Sequence, residues 1–241
     1  MIVLPSLIVV AIAALIHASF QLSVSVLTLL GSHGIGRRTS QRKLVGLTNG
    51  FIAGAGIMTV LLLSLTGLLV TPFTHSVNNS MVWIICCGLL SGLGIAVWFF
   101  YYRKESGTTL WVPRSMARYL RARTKETRQT SEAFGLGMSS VIGELLFVSA
   151  PLLVSALVLA PLSATWQIVG VVLYGSISLL SLLIVGGLIG SGHSISRIQK
   201  WRETNKHFLQ FSAGSALLIL SFYLYVDRVV AVSMAATPGG F

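Results

Sequence analysis

Ala133 to Leu159 reads AFGLGMSSVIGELLFVSAPLLVSALVL, 27 residues with one carboxylate, Glu144, and one proline, Pro151. At 1.5 Å per residue such a helix measures about 40 Å, more than the ~30 Å apolar core of a bilayer. A carboxylate inside an apolar span costs a few kcal/mol or more, so it faces the bundle interior, a cavity or a partner. Ser140, Glu144, Pro151 and Ser155 follow at offsets of 4, 11 and 15, close to whole turns, and so share one helical face. A proline on that face removes an amide, frees a carbonyl and bends the axis. The stretch predicts a spanning helix with a polar, kinked inner face.

Working outward, five more apolar runs have spanning length, at about 4–30, 49–70, 82–102, 166–190 and 208–230. With 10% charged residues, 54% hydrophobic residues and a mean hydropathy of +0.84, the chain is no ordinary soluble domain, where about 25% of residues are charged. The fold class expected is an all-α integral membrane protein of six transmembrane helices in a single polytopic domain, residues 1–241. The net charge of +11 sits in loops: Lys and Arg number four in 31–47, none in 71–81, eight in 103–131, none in 160–165 and four in 191–207. Such alternation follows the positive-inside rule for six helices with both termini outside and basic loops in the cytoplasm. It predicts the plasma (inner) membrane, with anionic inner-leaflet lipids as partners of the loops. Topology accounts for the charge, so no nucleic-acid partner is expected.

The first run has no positive segment before it and is too long for a signal peptide, so it is expected to stay as a span. Its His17, Gln21, Ser25 and Thr28 recur at helical spacing and predict one polar face. Gly50, Gly54 and Gly56 in the second run, and Gly88 and Gly92 in the third, predict close helix packing of the GxxxG kind. Cys86 and Cys87 lie about 100° apart on a helix and read as small buried hydrophobes, not a redox pair. The formal sequon Asn78-Asn79-Ser80 lies in a loop too short to leave the membrane surface. The third run closes on Trp98 to Tyr102 and then Arg103-Lys104, an interface signature. In the 103–131 linker, Pro113 predicts a helix start, with Val112, Met116, Tyr119 and Leu120 opposite Arg114, Arg118, Arg121 and Arg123, lying on the leaflet. Polar points in the fifth run are Tyr174, Ser176, Ser178 and Ser181. Tyr223, Tyr225, Asp227 and Arg228 end the sixth as an outer belt.

Three spans, a linker and three more spans set the halves in opposite orientation, the pattern of a 3+3 inverted-topology repeat whose site lies near the midplane. The first span of each half carries its polar residues ten to fourteen residues in. The predicted substrate, ion or coupling site is therefore Glu144, His17, Gln21, Ser140, Pro151 and Tyr174. A metal centre needs several convergent His, Asp or Glu; His17 and Glu144 are the two candidates, and no dedicated metal or other cofactor is expected. No nucleophile–base pair or phosphate-cradling loop points to an enzyme. Two functions fit: proton- or ion-coupled export of a small solute or ion, or a non-transporting scaffold or assembly factor. A homo-oligomer or a protein partner is compatible with either.

Residues 133–226 carry further patterns. A helix opens as Ala133-Phe134-Gly135-Leu136-Gly137 and bends at Ala150-Pro151-Leu152-Leu153. The next contains Gly170-Val171-Val172-Leu173-Tyr174-Gly175, and the last runs Phe211-Ser212-Ala213-Gly214-Ser215-Ala216-Leu217-Leu218-Ile219-Leu220. This half resembles the membrane domains of the CcdA and DsbD type, grouped with the LysE-type exporters. The resemblance implies the fold and, for a member without redox cysteines, export of a small solute or ion. Redox members keep a cysteine beside the proline of each symmetric helix. Here Ala150 and Leu152 flank Pro151 and the first span has no cysteine, so thiol–disulfide relay at those positions is excluded.

Overall fold

The computed structural model describes residues 3–20, 24–30, 41–74, 79–100, 114–191, 195–231 and 234. Ten helices appear among them: α1 (Val3–Ser19), α2 (Val24–Leu30), α3 (Gln41–Thr74), α4 (Asn79–Phe100), α5 (Arg114–Glu126), α6 (Thr130–Leu159), α7 (Ala164–Ser178), α8 (Leu180–Gly190), α9 (Ile195–Thr204) and α10 (Lys206–Tyr225), the last continuing as a π-helical turn, Val226–Val230. No strand occurs among the described residues. Four helices are long and apolar enough to cross a bilayer alone, and six spans result if the bent pairs α1–α2 and α7–α8 each count as one. Leu61, Leu65, Leu68 and Leu69 on α3 and Ile84, Ile85 and Leu89 on α4 are 49% to 74% exposed. So wide an apolar surface suits lipid, not water.

Glycines decide how the helices meet. A Cβ on Gly54 would overlap the Phe134 carbonyl oxygen, and one on Gly137 would overlap the Phe51 carbonyl. Gly50 lies against Thr130 in the same seam. Numbers rise together along both helices, so α3 and α6 run parallel at backbone contact. Without a hydrophobic drive between helices in lipid, close backbone approach supplies the van der Waals contact. As a result α6 is the central helix: 67% of its most apolar window is buried, against 22% to 39% for α3, α4 and α10. Opposite, α4 and α10 pack antiparallel. Gly214 faces Trp98, Gly94 faces Leu218, and Trp98 stacks on Phe211 at 5.6 Å. The Gln210 amide donates to the Val97 and Trp98 carbonyls, both at 2.7 Å. Those carbonyls belong to the last turn of α4, which has no amides of its own to offer them.

Several expectations need correction. The second span starts at Gln41 and ends at Thr74, so Arg42 and Lys43 belong to a helix of about 50 Å. Gly88 and Gly92 have nothing within 4 Å of their Cβ positions; in α4 it is Gly94 that lies in the helix seam, because Gly88 and Gly92 fall on the outward face. The first span is not one helix, since α1 and α2 meet at 45°, and the fifth bends by 46° at Leu179. By contrast α6 runs unbroken through Pro151. In α5 the inward stripe is Met116, Leu120 and Thr124, with Leu120 2% exposed and packed on the bundle, while Tyr119 is 49% exposed. Gln21, Asn78, Arg37, Arg38, Val112, Pro113 and residues 101–104 of the interface group lie outside the described residues. Cys86 and Cys87 are buried free thiols.

Because backbone cannot yield as a side chain can, Gly137→Val should lower unfolding free energy by about 3 kcal/mol. Gly88→Val should stay within about 0.5 kcal/mol of wild type. Reversible unfolding in bicelles measures both, and equal effects would remove the α3–α6 seam as the organising contact.

Candidate polar layer between two apolar cores

The buried apolar residues fall into two clusters. On α6 one cluster ends at Phe147 and the other begins at Val141, with Glu144 between them. On α3 the gap runs from Leu63 to Ala55 and holds Thr59; on the fifth span it runs from Tyr174 to Leu182 and holds Ser178; on the first it lies between Phe20 and Val24. Glu144 is 3% exposed, Thr59 2% and Ser178 6%. Polar residues therefore lie between the two apolar clusters on α6, α3 and the fifth span.

Packing sets these residues at one level. Ala55 lies beside Gly137, so one turn on, Thr59 is level with the turn from Ser140 to Glu144. Gly175 faces Val60 and Gly56 faces Leu179, which brings the Tyr174–Ser178 turn to the same height. Phe20 meets the Phe147 ring at 5.7 Å, tying the first-span break to the turn after Glu144. At that break His17 Nδ1 and Tyr174 Oη are hydrogen bonded at 3.0 Å, both side chains buried. The bond joins the two broken spans, within three residues of one bend and five of the other.

Of the predicted site residues, His17, Glu144, Ser140 and Tyr174 meet this layer. Pro151 is buried on α6 about two turns beyond it, and Gln21 is outside the described residues. Of the face expected for His17, Ser25 and Thr28, His17 lies on α1 and the other two on α2, across the 45° bend. Ser25 instead accepts a 2.8 Å hydrogen bond from Arg202 Nη2. Arg202, on α9, is only 3% exposed. Sequence reasoning missed Arg202, one of four cations in its loop, and missed Thr59. A threonine whose hydroxyl bonds the carbonyl four residues back, as Thr59 does to Ala55 at 2.9 Å, is unremarked in any spanning helix; only its register against α6 marks it. Among the described residues no three of His, Cys, Asp or Glu come together to hold a metal ion.

Tyr174→Phe would strand the His17 ring nitrogen in a dry site and should cost about 1–2 kcal/mol. Ser155, fully buried on the same face of α6, has no partner for its hydroxyl, so Ser155→Ala should be neutral or stabilise by up to about 1 kcal/mol. Thermal unfolding of the two variants in detergent should move in different directions; a shared loss would argue against the hydrogen-bond assignment.

No protein-family model, curated protein or solved structure matches this chain.

Proposed function

We propose that the protein is a small secondary transporter that exports a small solute or ion, coupled to a proton or ion, through the layer around Glu144. The observation that carries this reading is the His17–Tyr174 bond, which joins two discontinuous spans beside a buried carboxylate. Discontinuous helices meeting near the midplane are the usual setting of transporter sites, and an ionisable residue buried in a span is expensive enough to imply use. Glu144 is the coupling group; His17, Tyr174, Ser140 and Gln21 complete the site, with Pro151 further along the same face.

The 3+3 inverted repeat is supported by which spans pair. Under inversion the first exchanges with the fourth, the second with the fifth and the third with the sixth. The α3–α6 contact then corresponds to the contact of α1 with α7, and α4–α10 maps onto itself. The breaks do not exchange in this way, so the halves differ in where they bend. The resemblance of residues 133–226 to the CcdA, DsbD and LysE-type group also favours export. The alternating loop charge favours an inner-membrane placement with both termini outside, and exposed Arg118, Arg121 and Arg123 on α5 suit anionic lipid.

Glu144→Gln, which keeps shape and removes the charge, should lower tolerance of the exported solute to the level of a deletion strain while the protein still folds. His17→Ala should reduce it at least about tenfold, one lost charge-assisted contact. A panel of toxic solutes and metals gives the readout. Wild-type tolerance in both variants would sink the transporter reading and leave the scaffold, whose function should survive either change.

A further inference from the structure

Helix α9, Ile195–Thr204, has two faces of opposite character. Inward, Ile198 packs on the apolar cluster that contains α2, and Arg202 is 3% exposed, its Nη2 donating to Ser25 Oγ at 2.8 Å. Outward, Arg197 and Lys200 are exposed and Trp201 is 59% exposed, at helical spacing that sets the three on one side. Glu203 is the one acid in the helix. Phe208, at the start of α10, is 68% exposed. Water receives the two cations but not the indole, and hydrocarbon receives the indole but not the cations. A headgroup layer receives both. Cations outnumber acids on this face, and on α5 as well, where Arg118, Arg121, Arg123 and Lys125 are exposed and Glu126 is the one acid. The headgroups that fit are therefore anionic.

We infer that anionic phospholipid headgroups bind the outward face of α9 through Arg197, Lys200 and Trp201, and in doing so hold Arg202 in its seat on α2. Trp201 and Arg202 are consecutive in one helix, so a helix pinned at the indole carries the guanidinium with it. The half-helix α2 needs such a tie. Val24–Leu30 is shorter than the ~12–15 residues below which an isolated helix is marginal, and a 45° bend separates it from α1. Its Val24, Val26, Leu27 and Leu30 are buried, and the Arg202 bond adds a polar tie to α9. A guanidinium is costly to keep buried. Lifting α9 off the leaflet returns it to water and leaves α2 free to open locally. The inference goes beyond the transport reading, because lipid then sets how firmly α2 is held whether or not anything is carried.

The test places the full chain in nanodiscs of phosphatidylcholine, alone or mixed with phosphatidylglycerol, and reads hydrogen exchange of the α2 amides by mass spectrometry. A nanodisc offers both leaflets, so the outcome does not depend on the orientation of the chain. Phosphatidylglycerol should slow α2 exchange at least about fivefold, the low end of coupling between two sites, and leave α4 unchanged. Salt at ~1 M, which shortens the screening length to about 3 Å, should remove most of the difference. Arg197→Gln combined with Lys200→Gln should exchange at the phosphatidylcholine rate in both bilayers, and Arg202→Ala should exchange fast in both. Should Arg202→Ala fail to fold, the double variant, confined to exposed side chains, still decides. Equal α2 exchange in the two bilayers, a lipid effect that survives the double variant, or an equal slowing of α4 would overturn the inference. So would protection given by polyglutamate in neutral nanodiscs and not by phosphatidylglycerol, which would assign the face to an acidic protein. Flux in proteoliposomes is a separate readout. Lipid-dependent α2 without flux keeps this inference and sinks the transporter, whereas flux with a lipid-indifferent α2 keeps the transporter and sinks this inference.

Discussion

The backbone contact between α3 and α6 governs the rest of the molecule. Gly50, Gly54 and Gly137 let two helices of 34 and 30 residues approach until carbonyls of one occupy space that a Cβ of the other would need. In lipid, apolar burial alone gives helices little reason to associate, so contact of this closeness has to come from small residues. Its consequence is positional. Parallel contact over several turns fixes the register, and the register places Thr59 level with Ser140 and Glu144. A slip of one helical position would rotate Glu144 about 100° away from that level's interior.

Once α6 is held centrally, its carboxylate cannot reach the lipid or headgroups and has to be answered by neighbours. The two bent spans change course near its level. Both change direction by about the same angle, 45° and 46°, and both do so beside the layer. The bends carry different chemistry. At Leu179 the backbone stays helical, with φ −84° and ψ −4°, and Ser178 closes the turn by bonding Gly175. At the end of α1 the helix stops, Ser19 and Phe20 bonding back to Ile16 and His17. A proline is the usual suspect for a break within a span, yet neither bend has one and Pro151 sits in an unbroken helix. The ring at 151 is accommodated because α6 is enclosed on most sides, whereas the first and fifth spans bend where the polar layer interrupts apolar packing.

This explains what could be read from the chain and what could not. An all-helical chain with several spanning helices, four unbroken and up to six with the bent pairs, followed from apolar length, because bilayer thickness leaves few alternatives, and Gly50 and Gly54 were legible as a packing motif. Glu144 was visible because its cost is independent of context. Gly88 and Gly92 carry the identical spacing and face outward, since spacing specifies a face without specifying which way it points. Likewise His17, Ser25 and Thr28 share a face only if the helix is continuous, and no proline or glycine marks its end. Thr59 and Ser178 needed the register of three helices, which is tertiary information. Arg202 needed α9 to fold back onto α2, a contact between segments 177 residues apart.

The two apolar cores also bear on how an ion or solute could reach the layer. One core packs α1, α4, α7 and α10 around the distal part of α6; the other packs α2, α5 and α8 around its first turns. On the proposed transport reading, reaching the layer requires that one core part. The second core contains the two half-helices. Its helices α2 and α8 are short, 7 and 11 residues, each joined to its span at a bend. Its outer fastenings are polar: Gln41 Nε2 donates to the Ile189 and Gly190 carbonyls at the end of α8, and Arg202 donates to Ser25 on α2. Water can replace hydrogen bonds of this kind at modest net cost. On the proposed transport reading, opening on the basic side by swinging the two half-helices about their bends breaks these polar fastenings together with the apolar contacts of α2 and α8 in the second core.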